Sequence, residues 1–142
     1  GAGKIGLPEV ALGVLPGTGG TQRLARLVGK AKAMELMVTG ALLTMEEGHA
    51  AGLVHQVWRE DVLAGRSFRD TVVDYARTFT PPHRASRAVG HIKRAVQSGL
   101  EASFAEGLAL ERELQQRLFE SDDAAEGLAA NLEKRSPRFS GR

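Results

Sequence analysis

The sequence predicts a mixed α/β fold in which helices predominate. Two features indicate this class: short apolar segments of extended character near residues 4–8 and 53–58, and helical periodicity over most of the remaining chain. Proline and glycine separate the two kinds of pattern in the first part of the chain. We therefore expect a head of strands, turns and short helices over residues 1–58 and a helical tail over residues 59–142.

The head begins with an apolar run that reads as extended from residue 4 to residue 15. Pro8 prevents a regular helix there, and a Pro/Gly turn is predicted over residues 16–20. Two helices are predicted next, over residues 21–28 and 30–39, because their apolar residues recur on one face.

A capping box opens the third predicted helix of the head. Thr44 and Glu47 have the required spacing, with each side chain satisfying a free backbone N–H of the first turn. This helix is predicted to end at Gly52, and the second strand would follow over residues 53–58. Two isolated strands do not make a stable sheet, so we expect further chain before Gly1, or a partner protein, to complete it.

The tail is predicted to be almost entirely helical. Apolar periodicity predicts four helices, over residues 60–79, 83–98, 101–120 and 123–134. Pro81 and Pro82 separate the first two, and Asp123 with Glu126 forms a predicted capping box for the last. The large apolar surface of these helices suits packing between subunits.

Composition excludes several classes of function. The formal net charge is +2 and no basic tract is present, so no nucleic-acid partner is expected. No apolar run is long enough to span a membrane. The chain has no cysteine, and its four histidines lack the spacing of metal ligands. We expect a cytoplasmic protein with no disulfide and no metal.

Glu9 is the first candidate for chemistry. It follows Pro8 in an apolar segment, without a basic neighbour in the sequence. A carboxyl group with little hydration holds its proton more readily, which suits a general acid or base near neutral pH. The alternative is a solvated charge at the end of a strand.

The glycine-rich loop over residues 16–21 is the second candidate. Glycine lets the backbone approach a ligand closely, and the loop leads into a helix whose first N–H groups are unpaired. The loop lacks the Lys-Ser/Thr ending of a Walker loop and the spacing of the dinucleotide fingerprint. It is either a tight structural turn or a site for an anion, a carbonyl oxygen or water.

Four segments together resemble one known family. They are Gly6-Leu7-Pro8-Glu9 with Pro16-Gly17-Thr18-Gly19-Gly20-Thr21-Gln22-Arg23, Thr39-Gly40, Gly52-Leu53-Val54, and Glu126-Gly127 with Glu133-Lys134-Arg135-Ser136-Pro137-Arg138-Phe139. In this order they are similar to the carboxyl-terminal half of the enoyl-CoA hydratase/isomerase (crotonase) family. The resemblance covers nearly all of this chain but about half of a family domain.

The resemblance implies a crotonase-like α/β fold, a spiral of ββα units. Residues 1–58 would be the C-terminal part of the spiral core. Residues 59–142 would be a helical region that covers CoA and forms trimers. The intact protein would be a homotrimer or a hexamer.

The resemblance also implies roles for three residues. Glu9 would be one of two catalytic carboxylates, acting at the α and β carbons of the substrate. The backbone N–H of Gly17 would help to hold the catalytic water, and Lys134 would lie near the CoA nucleotide. Coenzyme A is part of the substrate, so no separate cofactor is expected. Asn131 occupies a position where the family often has a phenylalanine near the adenine.

The implied activity is hydration of a trans-2-enoyl-CoA in the degradation of fatty acids or related acyl-CoA compounds. The first alternative is a Δ3,Δ2-enoyl-CoA isomerase, in which Glu9 would shuttle one proton without water. Gly17 favours the hydratase because it keeps the water-holding position. Two further alternatives are a non-catalytic fragment or structural subunit, and an anion-binding module that uses the glycine loop.

The resemblance places the first catalytic glutamate and the oxyanion hole before Gly1. Losing even one oxyanion donor costs about 10²–10³ in rate, and hydration needs two carboxylates to orient one water. We therefore expect the purified 142-residue chain to be inactive towards a short trans-2-enoyl-CoA. The loss of enoyl absorbance measures this directly, and turnover above the buffer rate would contradict the expectation.

Overall fold

The computed structural model describes residues 3–142. Contacts divide the chain into two compact units, and the boundary in the sequence falls between Ala64 and Gly65. In the first unit the described elements are β1 (Lys4–Gly6), a 3-10 helix (Glu9–Leu12), α1 (Gly20–Val28), α2 (Lys30–Thr39), β2 (Leu42–Thr44), α3 (Met45–Ala50) and α4 (Glu60–Leu63). In the second unit they are α5 (Phe68–Arg77), α6 (Ser86–Gly99), α7 (Phe104–Phe119) and α8 (Asp122–Leu132). The predicted mixed class with predominant helices is confirmed.

The short helices of the first unit follow their local signals. The helices α1 and α2 occupy the predicted segments, and Gly29 and Gly40 follow them. The capping box of α3 is present: the Glu47 N–H donates to Thr44 Oγ1 (3.1 Å), and the Thr44 N–H donates to Glu47 Oε2 (2.8 Å). These signals act within one helical turn, so the positions of these helices can be predicted without the tertiary contacts.

The sheet contains β1 and β2, paired antiparallel with Ile5 opposite Leu43. The strand predicted near residues 4–8 is therefore present, but its partner is Leu42–Thr44. Beneath the sheet, three buried residues form the centre of the core, Leu24, Ala33 and Leu36, with further apolar residues packed around them. The sheet and the first two helices thus share one small core.

The second strand predicted over residues 53–58 is wrong. The N–H groups of Leu53 and Val54 both donate to the carbonyl oxygen of Gly48, at 2.8 and 3.1 Å. The ring Nδ1 of His49 lies 2.9 Å from the carbonyl oxygen of Val54. The end of α3 therefore binds N–H and C=O groups of residues 53 and 54 that, in a strand, would form hydrogen bonds with a neighbouring strand.

The long helix predicted over residues 60–79 is also wrong as a single element. Ala64 and Gly65 have left-handed φ values of 48° and 80°, which end α4. Ser67 then caps α5, with its side chain accepting from the N–H of Asp70 at 3.0 Å. The apolar stripe suggested continuity, but a left-handed pair cannot continue a right-handed helix.

In the second unit, α6 and α7 pack closely. A Cβ placed on Gly107 would lie 3.6 Å from the Cα of Gly99, so the two backbones approach each other where both helices carry glycine. Apolar side chains of these two helices remain partly exposed, with Phe104 82% exposed.

The capping box predicted for Asp123 and Glu126 is wrong. Ser121 caps α8 instead, accepting from the N–H of Ala124 at 3.2 Å. Asp123 is 4% exposed, and its carboxylate accepts from the N–H of Ser140 (2.6 Å) and the N–H of Gly141 (2.9 Å). A buried carboxylate needs such donors, and here the C-terminal segment supplies them.

Replacing Asp123 by alanine should destabilise the second unit by about 2–4 kcal/mol, because the hydrogen bonds from Ser140 and Gly141 to this buried carboxylate are lost. Urea unfolding followed by amide exchange within α8 measures the change. The control is Asp122→Ala, which removes an exposed carboxylate from the same turn. Equal effects of the two substitutions would contradict the assignment.

Candidate active site

Glu9 opens a 3-10 helix and does not lie in a strand. The N–H of Ala11 donates to the carbonyl oxygen of Pro8 (3.0 Å), and Gly13, at φ 73°, ends the helix at its left-handed C-cap. The extended conformation predicted from residue 9 onward is therefore wrong. The fixed φ of Pro8 favours a turn at this point.

The 3-10 helix is held against the end of α2. Gly40 has a left-handed φ of 65°. A Cβ at Gly40 would lie 3.3 Å from Val10 Cγ1 and 3.7 Å from the Cα of Pro8. Gly40 therefore ends α2 and, at the same place, lets the segment around Glu9 come close.

The side chain of Glu9 carries an unpaired buried atom. Its Oε2 is shielded from solvent and has no hydrogen-bond partner among residues 3–142. A buried acceptor without a donor costs about 1–3 kcal/mol, and such atoms in native proteins call for an explanation such as catalysis or ligand binding. The Oε2 of Glu9 is therefore an acceptor that the described chain leaves open.

The glycine loop is closed by Pro16. Pro16 is buried, and a Cβ at Gly20 would lie 2.8 Å from Pro16 Cβ and 3.4 Å from Leu7 Cδ1. The N–H of Gly20 also donates to the carbonyl oxygen of Gly17 at 3.0 Å. These contacts fix the start of α1 and leave the residues between them as a tight exposed turn.

The backbone conformation of the loop does not require a glycine at position 17. Its φ is not left-handed, and a Cβ placed there would meet no atom within 4 Å. Its carbonyl oxygen accepts from Gly20 and from Thr18 Oγ1 (2.8 Å), whereas its N–H has no partner in the described part of the chain. A glycine in open space with a free N–H allows a small ligand to approach the backbone.

Two neighbours of Gly17 add features that the sequence analysis did not assign. Thr18 has a left-handed φ of 52°, which is unfavourable for a β-branched residue and typical of functional loops. The side chain of Arg23 lies over the loop, since a Cβ at Gly19 would be 3.3 Å from Arg23 Nε. The sequence contained a signal for this contact, because Arg23 lies one helical turn after Gly19.

Lys134 lies in the second unit, directly after α8. It has a left-handed φ of 57°, and its N–H lies 3.4 Å from the carbonyl oxygen of Asn131. The N–H of Arg135 donates to the carbonyl oxygen of Ala130 at 3.0 Å, which completes the helix-ending turn. The Lys134 side chain is exposed and makes no hydrogen bond or ion pair among the described residues.

Glu126 and Arg135 form a two-pronged ion pair beside Lys134. Arg135 donates from Nη1 to Glu126 Oε1 (2.6 Å) and from Nη2 to Oε2 (2.8 Å). The N–H of Arg138 donates to the same Oε1 at 2.8 Å. The Arg135 hydrogen bonds, followed by the Arg138 N–H, lower the pKa of Glu126 to about 2. The sequence analysis missed this pair because Glu126 has the spacing of a capping residue.

No group of three or more histidine, aspartate or glutamate residues within residues 3–142 is placed to bind a metal. In the same residues, no helix combines the length and the apolar character needed to cross a membrane.

Comparison with known proteins decides the family. The family model of enoyl-CoA hydratase/isomerase matches residues 2–142. The chain belongs to the enoyl-CoA hydratase/isomerase family. This confirms the resemblance inferred from the motifs and, with it, the crotonase-like fold.

Individual relatives agree with the family match. A protein of Mycobacterium tuberculosis named probable enoyl-CoA hydratase is 41% identical over 140 residues, covering 98% of this chain and 51% of the relative. The 2,3-dehydroadipyl-CoA hydratase of Escherichia coli is 36% identical over 141 residues, covering 98% and 52%. The crystal structure of an enoyl-CoA hydratase from Geobacillus kaustophilus matches with a TM-score of 0.83 and 46% identity, covering 99% of this chain and 50% of the other.

Both of these relatives are named as hydratases. The chain spans about half the length of the curated relatives it matches. Glu9 and Gly17 both belong to the first unit, and Lys134 belongs to the second unit.

The low pKa of Glu126 predicts how the ion pair responds to acid. The pKa falls from an ordinary 4.5 to about 2 on folding. The stabilisation from a lowered carboxyl pKa is complete above the unfolded value and is lost as the pH falls through the folded value. The Arg138 amide resonance should therefore titrate with a midpoint near pH 2, and Arg135→Met should move the midpoint upwards. A midpoint near 4.5 in the unaltered chain would contradict the assignment.

Proposed function

We propose that this chain supplies Glu9, Gly17 and Lys134 to the active site of an enoyl-CoA hydratase, which adds water to a trans-2-enoyl-CoA. The observation that carries the proposal is the buried, unpaired Oε2 of Glu9. It occurs in the same folded segment as the unpaired N–H of Gly17. A carboxylate and a backbone donor without protein partners are the groups that a water molecule can bridge.

In the proposed hydration, Glu9 and Gly17 supply part of the catalytic groups, and groups outside these residues supply the rest. The oxygen of water bonds to the β carbon of the substrate, and a proton bonds to the α carbon, so that one water is consumed and the carbon–carbon double bond becomes single. The O–H bond of water that breaks gives its proton to one carboxylate, and the α carbon receives its proton from a carboxyl group; Glu9 carries out one of these two proton transfers. The Gly17 N–H donates to the water oxygen and fixes its position. The second carboxylate and the donors to the thioester oxygen would come from chain beyond these 142 residues.

The surface of the chain supports such an incomplete site. The chain exposes 10468 Å², whereas two separate globular units of these sizes would together expose about 8,600 Å². Apolar residues next to Glu9 contribute to the excess, with Leu12 79% and Leu15 70% exposed. Large exposed apolar surfaces typically mark places where other protein packs.

Lys134 has the properties of a phosphate ligand. Its ammonium group is exposed and makes no ion pair within the described chain, and a cation of this kind binds the phosphates of CoA. An acyl-CoA substrate, with CoA as part of the substrate and not a cofactor, follows from this proposal. The trimeric or hexameric assembly, the cytoplasmic location and the role in fatty acid metabolism stay predictions.

The alternatives make different products. An isomerase would need no water, so the free N–H of Gly17 favours the hydratase. Product analysis with 2-enoyl-CoA and 3-enoyl-CoA substrates separates the two reactions. A non-catalytic subunit would give no product with either.

Glu9→Gln should lower kcat by about 10²–10⁴, because a general acid–base group is lost. The assay uses the polypeptide at the full length of its relatives with a short trans-2-enoyl-CoA. The matched control is Glu46→Gln, an exposed carboxylate of the first unit. Activity of the Glu9 variant within twofold of the unaltered protein would overturn the role of Glu9.

A further inference from the structure

We propose that Glu126 and Arg135 are positioning residues that hold Lys134 in the geometry that binds the nucleotide part of a CoA thioester. The proposal rests on the role of Lys134 given above and adds what keeps Lys134 in place. Neither Glu126 nor Arg135 contacts the ligand in this account.

The first observation is the backbone of Lys134. Its φ of 57° is left-handed, at the position after a helix where glycine is the usual residue. The end of α2 shows the ordinary solution, since Gly40 has a φ of 65° there. A residue with a Cβ is sterically unfavourable in this region. A lysine in this left-handed conformation at the end of α8 is therefore strained. Strained residues of this kind cluster at functional positions.

The second observation is that the residues on both sides of Lys134 are tied down. Arg135 spans the two carboxylate oxygens of Glu126 at 2.6 and 2.8 Å, and its Nε lies 2.5 Å from Glu133 Oε2. The Arg138 N–H adds a third hydrogen bond to Glu126 at 2.8 Å. Glu133 and Arg135 flank Lys134, so their side chains restrain the turn from both directions.

The third observation is that Lys134 itself takes no part in this network. Its side chain makes no hydrogen bond or ion pair among residues 3–142, whereas three of the four carboxylate oxygens of Glu126 and Glu133 accept from Arg135. Arg135 occupies those carboxylates and leaves the Lys134 ammonium unneutralised. A restrained backbone with a free cation lowers the ordering cost of binding an anionic group.

A purely structural role for the ion pair predicts something different. If Glu126 and Arg135 only stabilised the end of α8, their loss would affect every substrate equally. A positioning role predicts that the loss is confined to substrates that carry the CoA nucleotide. The decisive comparison is therefore between an enoyl-CoA and the same enoyl group on pantetheine, which lacks the nucleotide and its phosphates.

The experiment measures kcat and KM for both thioesters in the polypeptide at the full length of its relatives. Glu126→Gln should raise KM for the CoA thioester about tenfold more than KM for the pantetheine thioester. Lys134→Met should give a similar ratio, and the double variant should add little to it, because Glu126 acts through Lys134. The control is Glu113→Gln, which breaks the exposed ion pair with Arg117 on α7.

The outcomes separate this proposal from the one it rests on. If Lys134→Met leaves the ratio of the two KM values unchanged, Lys134 does not bind the nucleotide, and both assignments fall. If Lys134→Met changes the ratio but Glu126→Gln does not, Lys134 binds CoA and the positioning role is overturned. Arg135→Lys provides a second test should Glu126→Gln fail to fold, because lysine keeps the charge and loses the two-pronged geometry. It should raise the ratio, and an unchanged ratio would count against the proposal.

Discussion

The left-handed turn at Gly40 controls where Glu9 lies. It ends α2, with the Ala41 N–H donating to the carbonyl oxygen of Leu36 at 3.1 Å, and sends the chain into β2. The strand β2 pairs with β1, whose continuation carries Glu9. The absence of a side chain at Gly40 also lets Pro8 and Val10 approach. A side chain at Gly40 would therefore disturb the helix end and the placement of Glu9 together.

In the second unit, one face of α8 binds the C-terminal segment through two carboxylates. Asp123 and Glu126 are three residues apart, on neighbouring positions of one helical face. Both turn towards the C-terminal segment, Asp123 to the N–H groups of Ser140 and Gly141, and Glu126 to Arg135 and the N–H of Arg138. Two carboxylates thereby bind the C-terminal segment that follows Lys134.

The polar groups left without partners indicate the function better than those with partners. Glu9 Oε2, the Gly17 N–H and the Lys134 ammonium have none in the described chain, although similar groups nearby are paired. Folding normally satisfies buried polar atoms, so Glu9 Oε2 marks a place where a ligand or further protein is expected, whereas the Gly17 N–H and the Lys134 ammonium are exposed donors. The function proposed above gives all three groups a role in binding a CoA thioester and water.

The sequence by itself determined the two helices α1 and α2, the start of α3, and the family. The positions of α1 and α2 and the capping box of Thr44 and Glu47 follow from signals that operate within one helical turn. The ordered motifs identified the family and the candidate residues Glu9, Gly17 and Lys134. Only the tertiary structure decided that β2 lies at Leu42–Thr44, that Glu9 opens a 3-10 helix, and that Asp123 and Glu126 bind the C-terminal segment. Each of these depends on a partner distant in the sequence: an apolar run does not specify which segment it pairs with, and a carboxylate does not specify which donors will reach it once it is buried.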